Sequence, residues 1–362
     1  MAEKYIHSCT LLIIYKSVRQ HMKKTIIILI LIGFSTYSCS NSSSLSKRKD
    51  DISDYGLNGK VKSLKSEVFS LIQQKDTFRI GNKENSSGLD RNITIEFNQD
   101  GKLDFEKEYY ANGKLINEVL YTYDKDNKLI KRKEIDNYGK GSFYDNEFLY
   151  NSKDSITKWI MSNNDFKRIH KIKRDDKNRP VKMEIFQNDT IVYVYKIEYD
   201  KYDNIISEKE FKSKDIPIKI IDRTFNEYHL KSKEKVVEYN TWDTLVYESH
   251  FFYNSDRNLT LEKHNIENNS SLTEIKNSYY ENGKLKESVS KPIGSSYFVI
   301  TVEKFNKKGD LIEHSRIPSD ESSKEIWEYK YKYDYKENWI EKINFKDNKP
   351  LRIIKRSIQY YE

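Results

Sequence analysis

The residues that could carry chemistry are few and scattered along this sequence. Five histidines lie beyond residue 50, and no two of them have the HxH or HExxH spacing of a zinc site. Walker-type, GxGxxG and GxSxG sequences are absent. We therefore predict no metal, no cofactor and no catalytic residue, and we expect each histidine to be a strand or turn residue. The five are His170, His229, His250, His264 and His314.

Carboxylates are the other candidates for catalysis, because a suitably separated pair can hydrolyse a glycosidic bond. Asp124, Asp200 and Asp334 are the most suggestive, since each directly follows a tyrosine. Their recurrence at one position of a repeated motif favours capping of a turn instead. We predict that the protein is not an enzyme, and a carbohydrate-active enzyme ranks last among the functions considered.

These aspartates belong to a seven-residue motif that recurs from residue 97 onward. An aromatic residue is followed by Asn or Asp, two polar residues, a Gly, Asn or Asp, a polar residue and an aliphatic. This order is typical of a hairpin turn, in which the second residue caps the loop and the fifth adopts a positive φ. The fifth positions of ten copies, 24 to 28 residues apart, are Gly101, Asn127, Asp154, Asn178, Asp203, His229, Arg257, Gly283, Gly309 and Glu337.

A variant of the motif begins with two tyrosines and reads Tyr-Tyr-x-Asn-Gly-Lys-Leu. It spans residues 109–115 and 279–285 and contributes Gly113. The residues that we predict to close the repeat turns are Gly101, Gly113, Asn127, Asp203, Gly283 and Gly309.

A second polar cluster lies between successive motifs, so each repeat is expected to hold two strands and two turns. The segments between turns alternate apolar and polar residues and are rich in β-branched and aromatic side chains. The prediction is an all-β domain over residues 56–362, a long antiparallel meander of about twenty short strands. An open sheet wider than about ten strands must coil, split into two layers or close. We expect a coiled or spiral repeat sheet, with a β-propeller as the alternative.

The N-terminus predicts export. Met22 and two lysines precede a short apolar run that ends in polar residues before Cys39. We assign residues 1–38 to a signal peptide, with residues 1–21 an upstream extension and Met22 the true start. A buried core helix and ordinary signal-peptide cleavage near Ser38 are the alternatives. Residues 39–55 are expected to be a flexible tether.

Residues 35–39, Ser-Thr-Tyr-Ser-Cys, resemble the lipobox of bacterial lipoproteins. That resemblance implies acylation of Cys39 and a stable membrane anchor. We therefore expect an exported, lipid-anchored protein of the cell envelope, on the outer membrane, with the periplasmic or surface face left open.

Charge excludes one class of partner. The chain has 64 basic and 56 acidic side chains, a net charge of +8, and the two signs are interspersed. No basic stripe of the kind that binds nucleic acid is visible, so we expect no nucleic-acid partner.

The recurring Tyr-Asp-x-x-Gly/Asn-x-Leu/Ile sequence resembles the YD (RHS-type) repeats of bacterial cell-surface proteins, and the double-tyrosine variant resembles MORN-like and antitoxin-like repeats. Large members of the YD group enclose a toxin that is released by cleavage at an Asp-Pro sequence. None of the five prolines here follows an aspartate, so toxin delivery is not predicted.

Tyrosine, with 28 copies, offers the best functional lead. Exposed aromatic side chains can stack on sugar rings or a peptide partner, although tyrosine ladders can equally serve only to hold strands together. Trp242 and Trp339 are the candidate surface aromatics. The first hypothesis is a non-enzymatic envelope lipoprotein that uses its repeat sheet as a binding or scaffolding surface for a protein or polysaccharide. The alternative is an immunity or antitoxin-like protein that neutralises a partner toxin.

Overall fold

The computed structural model describes residues 51–75, 77–86, 90–137, 142–213, 215–240, 243–266, 272–294, 296–320 and 323–362. The predicted signal peptide, Cys39 and most of the predicted tether lie outside the described residues, as does Trp242.

The described residues form one short 3-10 helix, Ile52–Tyr55, followed by strands that alternate apolar and polar positions. The strands are β1 Val61–Gln74, β2 Thr77–Lys83, β3 Ile93–Phe97, β4 Leu103–Tyr109, β5 Leu115–Tyr123, β6 Leu129–Asp136, β7 Ser142–Tyr150, β8 Ile156–Ser162, β9 Lys167–Arg174, β10 Pro180–Gln187, β11 Thr190–Tyr199, β12 Ile205–Lys212, β13 Ile216–Phe225, β14 Lys231–Tyr239, β15 Thr244–Tyr253, β16 Leu259–Ile266, β17 Leu272–Tyr279, β18 Leu285–Ile293, β19 Val299–Phe305, β20 Leu311–Pro318, β21 Glu325–Tyr333, β22 Trp339–Lys346 and β23 Lys349–Tyr360.

The sheet is closed. From β3 to β23 each strand pairs antiparallel with the next, and β1 joins the two ends because Leu64 pairs with Ile95 of β3 and with Ile358 of β23. Strand β2 pairs with β1 alone, so the other 22 of the 23 strands form the ring. The prediction of an open coiled or spiral sheet is wrong, and so is the propeller alternative. The reason is the long first strand, which supplies a pairing edge to both ends of the meander.

The seven-residue motifs make the turns at one end of this ring. They connect β3 to β4, β5 to β6 and so on to β21 and β22, and in a meander alternate turns lie at the same end of the sheet. We call this end the motif rim. All ten fifth-position residues have a positive φ, from 58° at Asp154 to 96° at Gly309, and Gly113 on the opposite rim has a φ of 85°.

A tyrosine ladder links successive motifs. In five motifs the first residue is a tyrosine whose hydroxyl donates to the backbone carbonyl at the seventh position of the preceding motif. Tyr123 donates to Leu103, at 2.8 Å, and Tyr150 to Leu129, at 2.7 Å. Arg174 stands where the aromatic is expected, and its guanidinium donates to the matching carbonyl of Ile156. Burial raises the pKa of Tyr123 and Tyr150, as expected for hydroxyls that stay protonated donors.

The largest hydrophobic core cluster lies where the ring closes. The segment 51–60 crosses β1 and β3 and places Ile52 and Leu57 against Leu64, Ile95 and Phe97. Asp51 holds this segment to the motif rim, since its amide donates to the Gly101 carbonyl and its carboxylate accepts from the Leu103 amide. We call residues 51–60 with β1, β3 and β23 the closing seam. In the part of the chain that the structure describes, no helix is long and apolar enough to cross a membrane.

Candidate functional site

The aspartates that sequence reasoning weighed as catalytic residues are turn caps. The Asp124 Oδ1 accepts the backbone amides of Asp126 and Lys128, each at 2.9 Å. Asp200 and Asp334 cap their own turns in the same way. Burial alone would raise the pKa of Asp200, but hydrogen bonds from the Asn204 side chain and from the backbone amides of Asn204 and Tyr202 lower it, so this carboxylate stays charged.

Neighbouring turns of the motif rim also contact each other through side chains. The side-chain amide of Asn127 donates to the Asp100 carboxylate of the preceding turn, at 3.1 Å. In another pair of turns, the Lys177 Nζ lies 2.8 Å from the carboxylate of Asp203 in the next turn. The motif rim is therefore a belt of interlinked turns, and side chains at the tips are held in defined places.

Two tips differ from the rest. The fourth residue of the motif is charged or Asn or Asp in eight of the ten copies, and it is tyrosine in two consecutive copies, Tyr202 and Tyr228. Their side chains are among the most exposed large apolar ones, at 47% and 54%. Consecutive motif turns are two strands apart, or about 10 Å.

A row of planar groups keeps these rings in position. Tyr202 packs against His229 of the next turn, with ring centroids 3.9 Å apart, and Lys201 lies over the same tyrosine. Tyr228 is covered by the Arg257 guanidinium, 5.2 Å from its ring centroid. We call Tyr202, His229, Tyr228 and Arg257 the aromatic row. It spans three successive turns and leaves part of both tyrosine rings open to solvent.

A pocket of about 590 Å³ lies between the turns that follow β13 and β15, and Tyr228 and Arg257 of the row form part of its wall. Aromatic side chains contribute much of its wall, and Phe252 is 46% exposed. The residues that line the pocket are Asn226, Tyr228, Leu230, Ser232, Lys233, His250, Phe251, Phe252, Tyr253, Asn254, Ser255 and Arg257. The pocket is a half-open surface groove in which polar and apolar groups contribute similar shares of the wall.

Trp339, one of the two candidate aromatics chosen from the sequence, does not line this pocket. Trp339 lies on β22 and is half-buried, because the Arg356 guanidinium carbon lies 3.3 Å from its ring centroid and Tyr331 packs edge-on against it. Trp242 and Cys39 lie outside the described residues. Sequence reasoning missed Tyr202 and Tyr228, although aligning the ten motifs shows that two adjacent tips depart from the polar pattern.

The histidines have separate environments. His229 belongs to the aromatic row, and His250 lines the pocket. His170 is fully buried and stacks on Trp159, with ring centroids 4.2 Å apart, and neither of its ring nitrogens has a hydrogen-bond partner among the described residues. Among the residues that the structure describes, no group of three or more His, Cys, Asp or Glu side chains could hold a metal ion.

Comparison with known proteins gives distant structural similarity only. No family model matches the chain. No curated protein matches it either. The crystal structure of TcdB2-TccC3-Cdc42 is 10% identical over 80% of this chain, with a TM-score of 0.38, and the match spans 18% of that longer chain. A porin-like protein from Bacteroides uniformis is 8% identical over 84% of this chain and 98% of its own, with a TM-score of 0.29. A porin-like protein from Bacteroides vulgatus is 13% identical over 52% of this chain and 93% of its own, with a TM-score of 0.20.

Proposed function

We propose that the protein is a non-enzymatic, glycan-binding protein of the cell envelope. The observation that carries this proposal is the aromatic row, in which two adjacent turn tips replace polar residues with exposed tyrosines beside a pocket. Tyrosine combines a flat apolar face with a hydroxyl, so it suits ligands that are themselves apolar on one face and polar at the edge. Sugar rings have this character.

The remainder of the motif rim supports a binding role over a catalytic one. The aspartates that could act as acid and base are engaged by backbone amides of their own turns. The tyrosines of the ladder are engaged as well, because their hydroxyls donate to backbone carbonyls. Tyr202 and Tyr228, in contrast, are exposed. Their rings are therefore available to a ligand, whereas the capping aspartates and ladder tyrosines stabilise the fold.

The direct test is titration of the purified chain with neutral β-1,4-linked glucose and N-acetylglucosamine oligosaccharides, followed by calorimetry and saturation-transfer NMR. Removing one stacking ring in Tyr202→Ala or Tyr228→Ala should cost about 0.5–1.5 kcal/mol, roughly a two- to tenfold loss of affinity. Saturation transfer should be weaker in each variant.

Tyr335→Ala is the matched control. Tyr335 is 77% exposed and lies in another turn of the same rim, where it packs on Tyr360. Its removal should leave affinity unchanged. Equal losses at Tyr335 and at the aromatic row, or no binding of any of these oligosaccharides, would contradict the proposal.

Export and lipid anchoring at Cys39 are the second part of the proposal, and the layout of residues 22–39 supports them. Anchoring would hold the protein at the outer membrane, within reach of envelope polysaccharides. Labelling cells with a radioactive fatty acid should mark the wild-type chain and not the Cys39→Ala variant. Label retained in that variant would exclude Cys39 as the acylated residue.

A further inference from the structure

We infer that the pocket beside the aromatic row binds the carboxylate of an acidic sugar, such as a uronic acid, through Arg257. This inference rests on the proposed function and specifies its ligand class. Three features of the described residues support it: the charges that line the pocket, the pairing of those charges and the fixed position of Arg257.

The pocket lining is basic. Lys233, His250 and Arg257 contribute to it, and no Asp or Glu does. Asparagine and serine side chains complete the polar part of the wall, and they can hydrogen-bond sugar hydroxyls. A neutral sugar would need no such excess of cations, whereas a carboxylate would be stabilised by it.

Two of the three basic side chains already contact one carboxylate. Glu248 lies on β15 next to the pocket, and its two oxygens are 2.9 Å from the Lys233 Nζ and 2.8 Å from the His250 Nε2. The bond from Lys233 and then that from His250 lower the pKa of Glu248, so this carboxylate stays charged. Lys233 and His250 are therefore less available to a second anion.

Arg257 is different, because it forms no ion pair with any residue that the structure describes. Glu234 lies on the strand that borders the pocket and pairs with other cations. Its Oε2 is 2.7 Å from the Arg223 Nε and 3.4 Å from the Lys231 Nζ. Asp256, the neighbour of Arg257 in the turn, does not line the pocket. Among the described residues, no carboxylate is paired with this guanidinium, which lines the pocket.

The position of Arg257 suits two-point recognition of a carboxylate. Its turn is closed by the bond from its own amide to the Asn254 carbonyl, and its side chain lies on Tyr228. Stacking on an aromatic face leaves the planar edge of a guanidinium free to donate two parallel hydrogen bonds. A sugar stacked on Tyr228 would thus bring its carboxylate within reach of Arg257.

The test compares a glucuronic-acid oligosaccharide with the neutral glucose oligosaccharide of the same length and linkage. The wild-type chain should bind the acidic one about ten- to a hundredfold more tightly, the effect of a charge-assisted hydrogen-bonded pair. Arg257→Met should abolish this preference, so that the acidic and the neutral oligosaccharide bind the variant with equal affinity. Arg257→Lys should restore only part of it, because lysine keeps the charge and loses the planar fork.

Lys336→Met is the control, since it removes an exposed cation from another turn of the same rim. Circular dichroism checks that each variant keeps its sheet. Equal affinity of the wild-type chain for the two oligosaccharides would overturn the inference and leave the proposed function standing. A preference that survives in Arg257→Met would also overturn it. Binding of neither oligosaccharide would overturn both.

Discussion

The closing seam and the rest of the ring differ in how much apolar side chain they bury. In the seam, Val61, Leu64 and Ile95 are fully buried in one cluster with Ile52 and Leu57 of the segment 51–60. In the wall, which we define as residues 208–314, not one described residue is buried. A single sheet with no second layer can bury little, so apolar packing is concentrated where extra chain covers the sheet.

Polar ladders hold the wall together instead. Arg223 on β13 bridges two strands, since it contacts Glu208 on β12 and lies 2.7 Å from Glu234 on β14. Lysines lie over aromatic rings across strands, as Lys231 does over Phe251 at 4.2 Å. Such contacts are individually weak and numerous, so the wall is stabilised by repetition and the seam by a core. Ring closure therefore supplies the largest hydrophobic cluster, and the smaller cluster around Met183 and Ile185 lies on repeat strands outside both regions.

The same substitution, isoleucine to alanine, should change the free energy of unfolding by different amounts in the two regions. Ile95→Ala in the seam should lower the free energy of unfolding by about 2–5 kcal/mol, because it opens a cavity among fully buried side chains. Ile221→Ala in the wall removes the same atoms from a half-buried position and should cost about 1 kcal/mol. Urea unfolding of both variants measures the difference. Equal losses would show that the two regions do not differ in how much apolar packing contributes to stability.

Stability should also depend on pH, because a buried histidine, His170, stacks on Trp159 outside the seam. Burial lowers the pKa of His170 from its ordinary value to about 4, and Arg168 adds to this. The unfolded chain binds a proton near pH 6.5, so it holds more protons than the folded chain between about pH 6.5 and 4. Stability should therefore fall by roughly 3 kcal/mol as the pH drops through this window.

His170→Phe keeps a ring against Trp159 and removes the titrating group, so that part of the acid dependence should vanish. His250→Phe, at an exposed position, should leave the dependence in place. Thermal melts from pH 7 to pH 4 make the comparison. An unchanged pH profile in His170→Phe would assign the acid sensitivity to other groups.

The smallest effect concerns the tyrosine ladder that links repeats. Tyr150→Phe removes the hydroxyl that donates to the Leu129 carbonyl at 2.7 Å, and this should cost about 0.5–1.5 kcal/mol. Tyr335→Phe changes a 77% exposed ring and should be neutral. Urea midpoints of the two variants that coincide would show that the ladder hydroxyl adds nothing to stability.

The local features of this protein could be predicted from its sequence because they are local in physical origin. A seven-residue turn needs a capping side chain and a positive φ within itself, and Asp124 with Asn127 or Asn98 with Gly101 meet both needs. Even the chemical exception at Arg174 is visible in the sequence, although only the structure shows that its guanidinium replaces the tyrosine hydroxyl. The tip tyrosines Tyr202 and Tyr228 were equally visible in an alignment of the motifs.

Two features depend on tertiary structure alone: the closure of the sheet by β1 and the burial of the Trp339 ring. The partners of β1 lie at opposite ends of the chain, in β3 and in β23, and no short-range pattern says that two sheet edges so far apart in sequence will meet. The sequence predicts Trp339 to be a surface aromatic. The structure shows that it is half-buried, with Arg356 of the neighbouring strand packed on its ring. Turn geometry depends on a few adjacent residues, whereas pairing of distant strands and covering of a side chain depend on how the whole ring comes together.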